Sequence, residues 1–183
     1  MRAVVRDRYG DAGVVRIAEI PEPRVSGTEV KIGMRAVSLN GSDWEAVTGR
    51  PAYVRVTNGL RRPRNRQLGS DIAGVIEAVG PEARRFAVGD VVFGDLLFSA
   101  PRCLSDAVVV EESAPLARVP HDVSLTDAAC LPQAGILARQ SLDEVRPVTS
   151  EDRVLVIGGG GGAGTLTIQL LRQKRFGRST DAV

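Results

Sequence analysis

From Met1 to about Pro120, apolar and β-branched residues come in short runs cut by Gly, Pro and Asp. In EVKIGMRAVSLN, Val30, Ile32, Met34 and Ala36 recur at every second position, the period of a half-buried strand. AGVIEAVG, GDVVFGD and DAVVVEE supply further β-branched runs bounded by turn residues. This half therefore reads as mostly β. Two stretches break the pattern. DWEAVTG has room for a turn or two of helix with Trp44 turned into the core, and GRPAYVRVTNGLRRPRNRQLG is a long polar excursion of the kind that forms binding loops.

After Pro120 the period changes. Ser124 with Asp127 three residues on is a capping-box-like start, and Ala128, Ala129 and Leu131 follow before Pro132 interrupts the helix. A second helix restarts with Ala134, Leu137, Ala138, Ser141 and Leu142 on one face. Val154 to Ile157 is a continuous apolar run, the signature of a parallel strand covered on both faces. The glycine run Gly158–Gly162 comes next, and then a helix with Ala163, Leu166, Thr167, Leu170 and Leu171 facing inward. These changes divide the chain into residues 1–120 and 121–183.

Composition adds exclusions. No run is long and apolar enough for a signal peptide or a membrane span, which points to a cytoplasmic protein with no membrane partner. Cys103 and Cys130 have neither paired nor metal-ligand spacing and read as reduced thiols. The net charge of +2 does not call for a polyanionic partner. Basic runs do occur, at Arg61, Arg62, Arg64 and Arg66 and again at Arg172, Lys174, Arg175 and Arg178. Without interleaved aromatics or a recognition motif they read as solvated faces, not as a nucleic-acid site.

The chemistry is concentrated in the glycine turn. Gly159, Gly161 and Gly164 fit G-x-G-x-x-G between a strand and a helix. One glycine makes the tight turn, the next admits a pyrophosphate against bare backbone, and the third lets helix and strand pack closely. Gly162 and Ala163 complete the phosphate-facing stretch. Asp181 has the spacing of the acid that holds an adenosine ribose. RSTDAV puts it where a buried second strand is apolar, however, so it reads as a surface acid.

Together MRAVV, VSLNGSDW, TGRP, LGSDIAGVIEAVG, RFAVGDVVFG, SLTDAACLPQAG and VLVIGGGGGAG resemble, in order and spacing, the medium-chain dehydrogenase/reductase superfamily, in its zinc-free, quinone-oxidoreductase-like branch. The resemblance implies a mixed α/β fold, a GroES-like β-barrel catalytic domain followed by a Rossmann dinucleotide-binding domain that is incomplete here. It also implies hydride transfer from NADPH, with NADH left open, to a quinone, enone or other carbonyl acceptor.

In the zinc-dependent relatives a cysteine stands at the position of Asn40, and Gly-His-Glu at Gly69, Ser70 and Asp71. A zinc site needs His, Cys or carboxylate ligands, so two ligand positions are lost and the expectation is no metal. His121 reads as a surface residue in a turn. The resemblance nominates Asn40 and Asp43 as cleft residues, against the alternative that they only shape a turn. Tyr53 is a candidate proton donor to a reduced acceptor, or an anchor packing its loop. Leu137 stands where the family often has a threonine beside the nicotinamide.

A complete sheet of this kind has about six strands. A parallel strand at Val154–Ile157 without neighbours leaves backbone groups unpaired and apolar faces uncovered. The expectation is that the segment after about Glu151 is loosely ordered, swapped into a homo-oligomer, or covered by a partner such as a full-length homologue. A second function class stays open beside the oxidoreductase, a non-catalytic remnant of the barrel that acts as a binding or interaction module.

Overall fold

β1 (Arg2–Arg6) and β2 (Val15–Glu19) form an antiparallel hairpin, and β3 (Glu29–Ser38), β4 (Asp71–Val79), β5 (Val91–Asp95), β6 (Ala107–Glu111) and β7 (Leu116–Arg118) form an antiparallel sheet in the order β6-β3-β4-β5-β7. The computed structural model describes residues 1–99, 103–144, 148, 149 and 151–173. Among these the chain divides into two units, Met1–Cys130 and Leu131–Val183.

The first unit is organised by β3 and β4, the two longest strands and the sheet's centre. Val30, Ile32, Ile72 and Ile76 are fully buried and, with Val92 and Leu96, make the principal core. The alternation expected along β3 holds with one refinement. A register shift between Met34 and Ala36 leaves Met34 packed on the principal core, while Ala36 packs with a second cluster of Ala73, Ala128 and Ala129. A bulge of this kind re-aims side chains without ending the strand.

That second cluster explains where the unit ends. α3 (Leu125–Ala129) starts as the sequence suggests, with the Ser124 hydroxyl accepting from the Asp127 N–H at 3.1 Å. Ala128 and Ala129 lie against Ala73 of β4, so α3 belongs with the sheet and the division follows Cys130, past the sequence estimate near residue 121.

The sequence treats residues 49 to 69 as loop, but the structure has α2 (Ala52–Asn58) inside it, bounded by Pro51 and Gly59. Proline at a helix start and glycine just past its end are the punctuation a short helix uses. α1 (Gly41–Thr48) buries Asp43, Ala46 and Val47, and its end turns at Gly49, which has φ +64°. A Cβ at Gly49 would meet the Tyr9 ring at 2.7 Å. Tyr9 closes this corner, its hydroxyl donating to the Gly59 carbonyl at 2.7 Å and its ring stacked under the Arg55 guanidinium. Trp44 departs from expectation. It is 56% exposed, because the inward face of α1 is occupied by the Asp43, Ala46 and Val47 positions.

In the second unit, α4 (Pro132–Asp143) packs on α5 (Gly162–Gln173). Ala134, Ala138 and Leu142 are buried as their spacing suggests, whereas Leu137 and Ser141 stay exposed. Val154–Ile157 is not a strand, which corrects the sequence expectation. It has no ladder partner among the described residues, and Val154, Leu155 and Ile157 are 43%, 76% and 88% exposed. A parallel strand is stabilised by neighbours on its edges and faces, and without them the apolar run gains neither hydrogen bonds nor burial. Correspondingly, α5 buries no residue fully. Asp181, Lys174, Arg175 and Arg178 lie outside the described residues.

Burial sets a contrast between the units that chemical denaturation reads directly. Ile76→Ala in the core should lower stability by about 2–5 kcal/mol. Leu155→Ser should stay within about 0.5 kcal/mol, as for other exposed positions. Urea unfolding of both variants checks this; a Leu155→Ser loss as large as that of Ile76→Ala would refute the assignment.

Candidate functional site

β3 ends at Ser38, directly opposite Asp71, the first residue of β4. This pairing positions the polar groups at the strand ends. Two residues beyond Ser38, Asn40 lies over Asp71, and its Nδ2 donates to Asp71 Oδ2 at 3.1 Å. The Ser38 hydroxyl donates to the same oxygen at 3.4 Å. Asp71 is fully buried, so this carboxylate is held by hydrogen bonds from its neighbours, as burial of a charged or polar group requires. Ser70, also fully buried, keeps a hydroxyl with no hydrogen-bond partner among the described residues.

Asn40 also caps α1. The Asp43 carboxylate reaches back to the Asn40 N–H at 2.9 Å, while its other oxygen accepts from the Gly69 N–H at 3.0 Å. Asp43 thus ties the start of α1 to the chain that leads into β4. Its oxygens are taken by backbone donors and the residue is buried, so its place is beneath the surface that Asn40 shares. Asn40 is half-buried and remains the more accessible of the two nominated residues.

Tyr53, on α2, is 60% exposed, so it does not pack its segment as an anchor. Its hydroxyl donates to Glu45 Oε2 on α1 at 3.1 Å. That carboxylate pushes the phenol above the ordinary tyrosine range, first through the hydrogen bond and then through its charge. Glu45 is not legible as a partner from sequence, since a glutamate mid-helix carries no signal of what lies across from it. Asp71 does leave one, an acid at the start of an apolar strand, where side chains are buried.

Asn40 and Asp71 are bonded to each other, and among the described residues no three His, Cys, Asp or Glu side chains gather to hold a metal ion. His121 is exposed in a turn.

In the second unit, Gly159, Gly161, Gly162, Ala163 and Gly164 form a turn and the start of α5. The Gly161 N–H donates to the Gly158 carbonyl at 3.0 Å, and the Thr165 hydroxyl to the Gly159 carbonyl at 3.2 Å. A Cβ at Gly164 would meet the Gly158 oxygen at 2.2 Å, so only glycine lets the helix begin this close to the turn. At Gly160 an added Cβ would meet nothing within 4 Å, leaving open space beside bare backbone. The first N–H groups of a helix have no intrahelical acceptor, and here they follow directly on the glycines.

No helix among the described residues is long and apolar enough to cross a membrane. Residues 26–123 match the alcohol dehydrogenase GroES-like domain family. A trans-enoyl reductase of a Pyrenochaetopsis species is 33% identical over 95% of this chain and 48% of its own length. The quinone oxidoreductase of Coxiella burnetii superposes with a TM-score of 0.84 at 31% identity, covering 95% of this chain and 54% of that one. A mycobacterial protein solved with NADPH superposes at 0.78 and 28% identity, over 95% of this chain and 50% of that one. The chain spans about half the length of the curated relatives it matches. With its GroES-like unit followed by a glycine turn, the chain belongs to the medium-chain dehydrogenase/reductase superfamily, among the quinone-oxidoreductase and zinc-type alcohol-dehydrogenase-like members.

Proposed function

We propose that the chain carries the catalytic barrel and the opening of the cofactor domain of a zinc-free, NADPH-dependent reductase of quinones, enones or related carbonyl compounds. The observation that carries this reading is the superposition on a quinone oxidoreductase over 95% of the chain. The Asn40–Asp71 hydrogen bond adds to it, since at the position where the zinc-dependent relatives have a cysteine an asparagine engages the buried carboxylate.

The residues of the glycine turn fit a dinucleotide. Gly162, Ala163 and Gly164 would hold the pyrophosphate with backbone N–H groups at the start of α5, while Gly159 and Gly161 admit it against bare backbone, in the open space beside Gly160. When bound, the nicotinamide supplies the hydride. The chain's own part is to orient and exclude water, with a few polar groups near the charge that develops on the acceptor. Asn40 is the group proposed for that surface, steadied by Asp71 beneath it. Tyr53 is proposed as the proton-bearing group, and Glu45 holds its proton away from ionisation. Cys103 and Cys130, read as reduced thiols, fit a reducing compartment, the cytoplasm.

A second reading is a non-catalytic binding module, favoured by the uncovered Val154, Leu155 and Ile157. In either case the apolar run calls for a cover, from further chain, a second copy, or a full-length homologue.

Titration with NADPH, followed by nicotinamide fluorescence, separates the two readings. Saturable binding, reduced at least about tenfold when a side chain is placed at the turn by Gly164→Val, supports the reductase. No binding at millimolar cofactor would leave the module reading.

The Tyr53–Glu45 pair makes its own prediction. A phenol pKa raised in the folded state contributes stability below the ordinary tyrosine pKa, and that contribution is lost as pH rises through the raised value. Glu45→Gln should therefore shift one tyrosinate transition to lower pH in an alkaline absorbance titration. An unchanged midpoint would show that the carboxylate does not hold the phenol.

A further inference from the structure

The polar segment Arg61–Gln67 has no acidic residue between Asn58 and Asp71, yet it is not a loose tail. The Arg64 N–H donates to the Asn58 carbonyl, with the Arg64 stem beside Gly59. The Arg6 N–H donates to the Arg66 carbonyl at 2.8 Å. The Arg6 side chain, almost fully buried, donates from one terminal nitrogen to the carbonyls of Asn65 and Gln67, both at 3.3 Å. Val5 bridges to Gln67 across the edge of β1. A buried cation thus pins the backbone that displays Arg64 and Arg66.

Between this strip and the β1–β2 hairpin lies a groove of about 390 Å³. Arg16, Arg64 and Arg66 line it, together with the apolar Val5, Ala18 and Ile20. Glu19 is the one acid in the lining. Two of the three arginines already hold one carboxylate between them. Asp7 pairs through one oxygen with Arg16 at 2.9 Å and through the other with Arg66. Arg64 makes no ion pair among the described residues. Asp7 is not itself in the lining, so two of the lining arginines form an oxyanion clamp at the groove's border, closed by the protein's own aspartate, and Arg64 lines the groove with them.

We propose that this groove binds a small oxyanion-bearing molecule with an apolar body, a phosphate monoester or a carboxylate. The guanidinium fork matches either anion through paired hydrogen bonds, and the volume is that of a small-ligand site. The incoming anion meets Arg64 and shares Arg16 and Arg66 with Asp7, so Asp7 is the internal competitor. The apolar lining selects against a bare, strongly hydrated ion. Backbone pinning by Arg6 means that little ordering is required on binding. A nucleic-acid strand would use the same charges, but the groove is bounded and its apolar lining contains no aromatic side chain for bases to stack on.

The test is a titration of the 183-residue chain with phenyl phosphate at constant ionic strength, read by the arginine Nε–Hε resonances in nitrogen–proton NMR spectra. Saturable shifts at Arg16, Arg64 and Arg66 are expected. Arg64→Ala should weaken binding about tenfold, the scale of one charge-assisted hydrogen bond. Arg35→Ala, on a different part of the surface, should not. Asp7→Asn should strengthen binding several-fold by releasing the two arginines, a gain that a misfolded variant would not give. Inorganic phosphate should bind more weakly than the phenyl ester. The proposal is overturned if Asp7→Asn leaves binding unchanged or weaker, if Arg64→Ala and Arg35→Ala have the same effect, or if inorganic phosphate binds as well. It is also overturned if a DNA duplex binds more tightly with a steep salt dependence, which would make the strip a nucleic-acid face. None of these readouts depends on reductase activity, so their failure leaves the proposed function standing.

Discussion

The pairing of β3 with β4 is the constraint on which the rest depends. Its register, running from Val30 opposite Val79 to Ser38 opposite Asp71, decides two things at once. At one end it layers Val30, Ile32, Ile72 and Ile76 into a core that excludes water completely. At the other it brings a buried carboxylate under the chain leaving β3, so that Asn40 and Ser38 donate to it. Asp43 then ties α1 to Gly69 on the approach to β4. A one-residue slip would turn every side chain of β3 to the other face and separate Asn40 from Asp71. Core and candidate site are products of the same ladder.

The second unit rests on a different balance. Its helices meet through small residues, Ala134 against Gly162 and Gly135 near Leu166, but the apolar run that should anchor them in a sheet has no partner among the described residues. The glycine turn keeps its local geometry all the same. That geometry is set within a few residues, by the close approach of Gly164 to Gly158 and the bond from Gly161 to Gly158. A glycine turn and a stable domain around it are thus separable. The first is local, the second needs strands on both sides.

Legibility in the sequence divides along the same line between local and non-local causes. The strands around Val30–Ala36 and Ile72–Val79, the Ser124 cap of α3 and the tight packing at Gly164 arise from periodicity, capping chemistry and sterics within a few residues. Trp44 misleads because an aromatic residue suggests burial, whereas the phase of α1 is set by Asp43, Ala46 and Val47. α2 is hidden in a polar stretch whose helix is held by Tyr9, a residue far away in sequence. Val154–Ile157 has the composition of a strand, but composition cannot supply a neighbour. For the candidate site, the resemblance points to Asn40 and Asp43, and the chemistry of the long polar segment to Tyr53. That Asp71, Gly69 and Glu45 are their partners emerges only from the fold, because each bond joins separate segments of the chain.

The β3–β4 ladder sustains the first unit on its own, while the glycine turn stands on locally formed structure, without a sheet beneath it among the described residues. Native-state hydrogen exchange, resolved by residue, tests this most directly. Amides of β3 and β4 should exchange only through global unfolding, and those of α4 and α5 at least about a hundredfold faster through local opening. Equal protection in both units would contradict it, since the second unit would then be held by a core of its own.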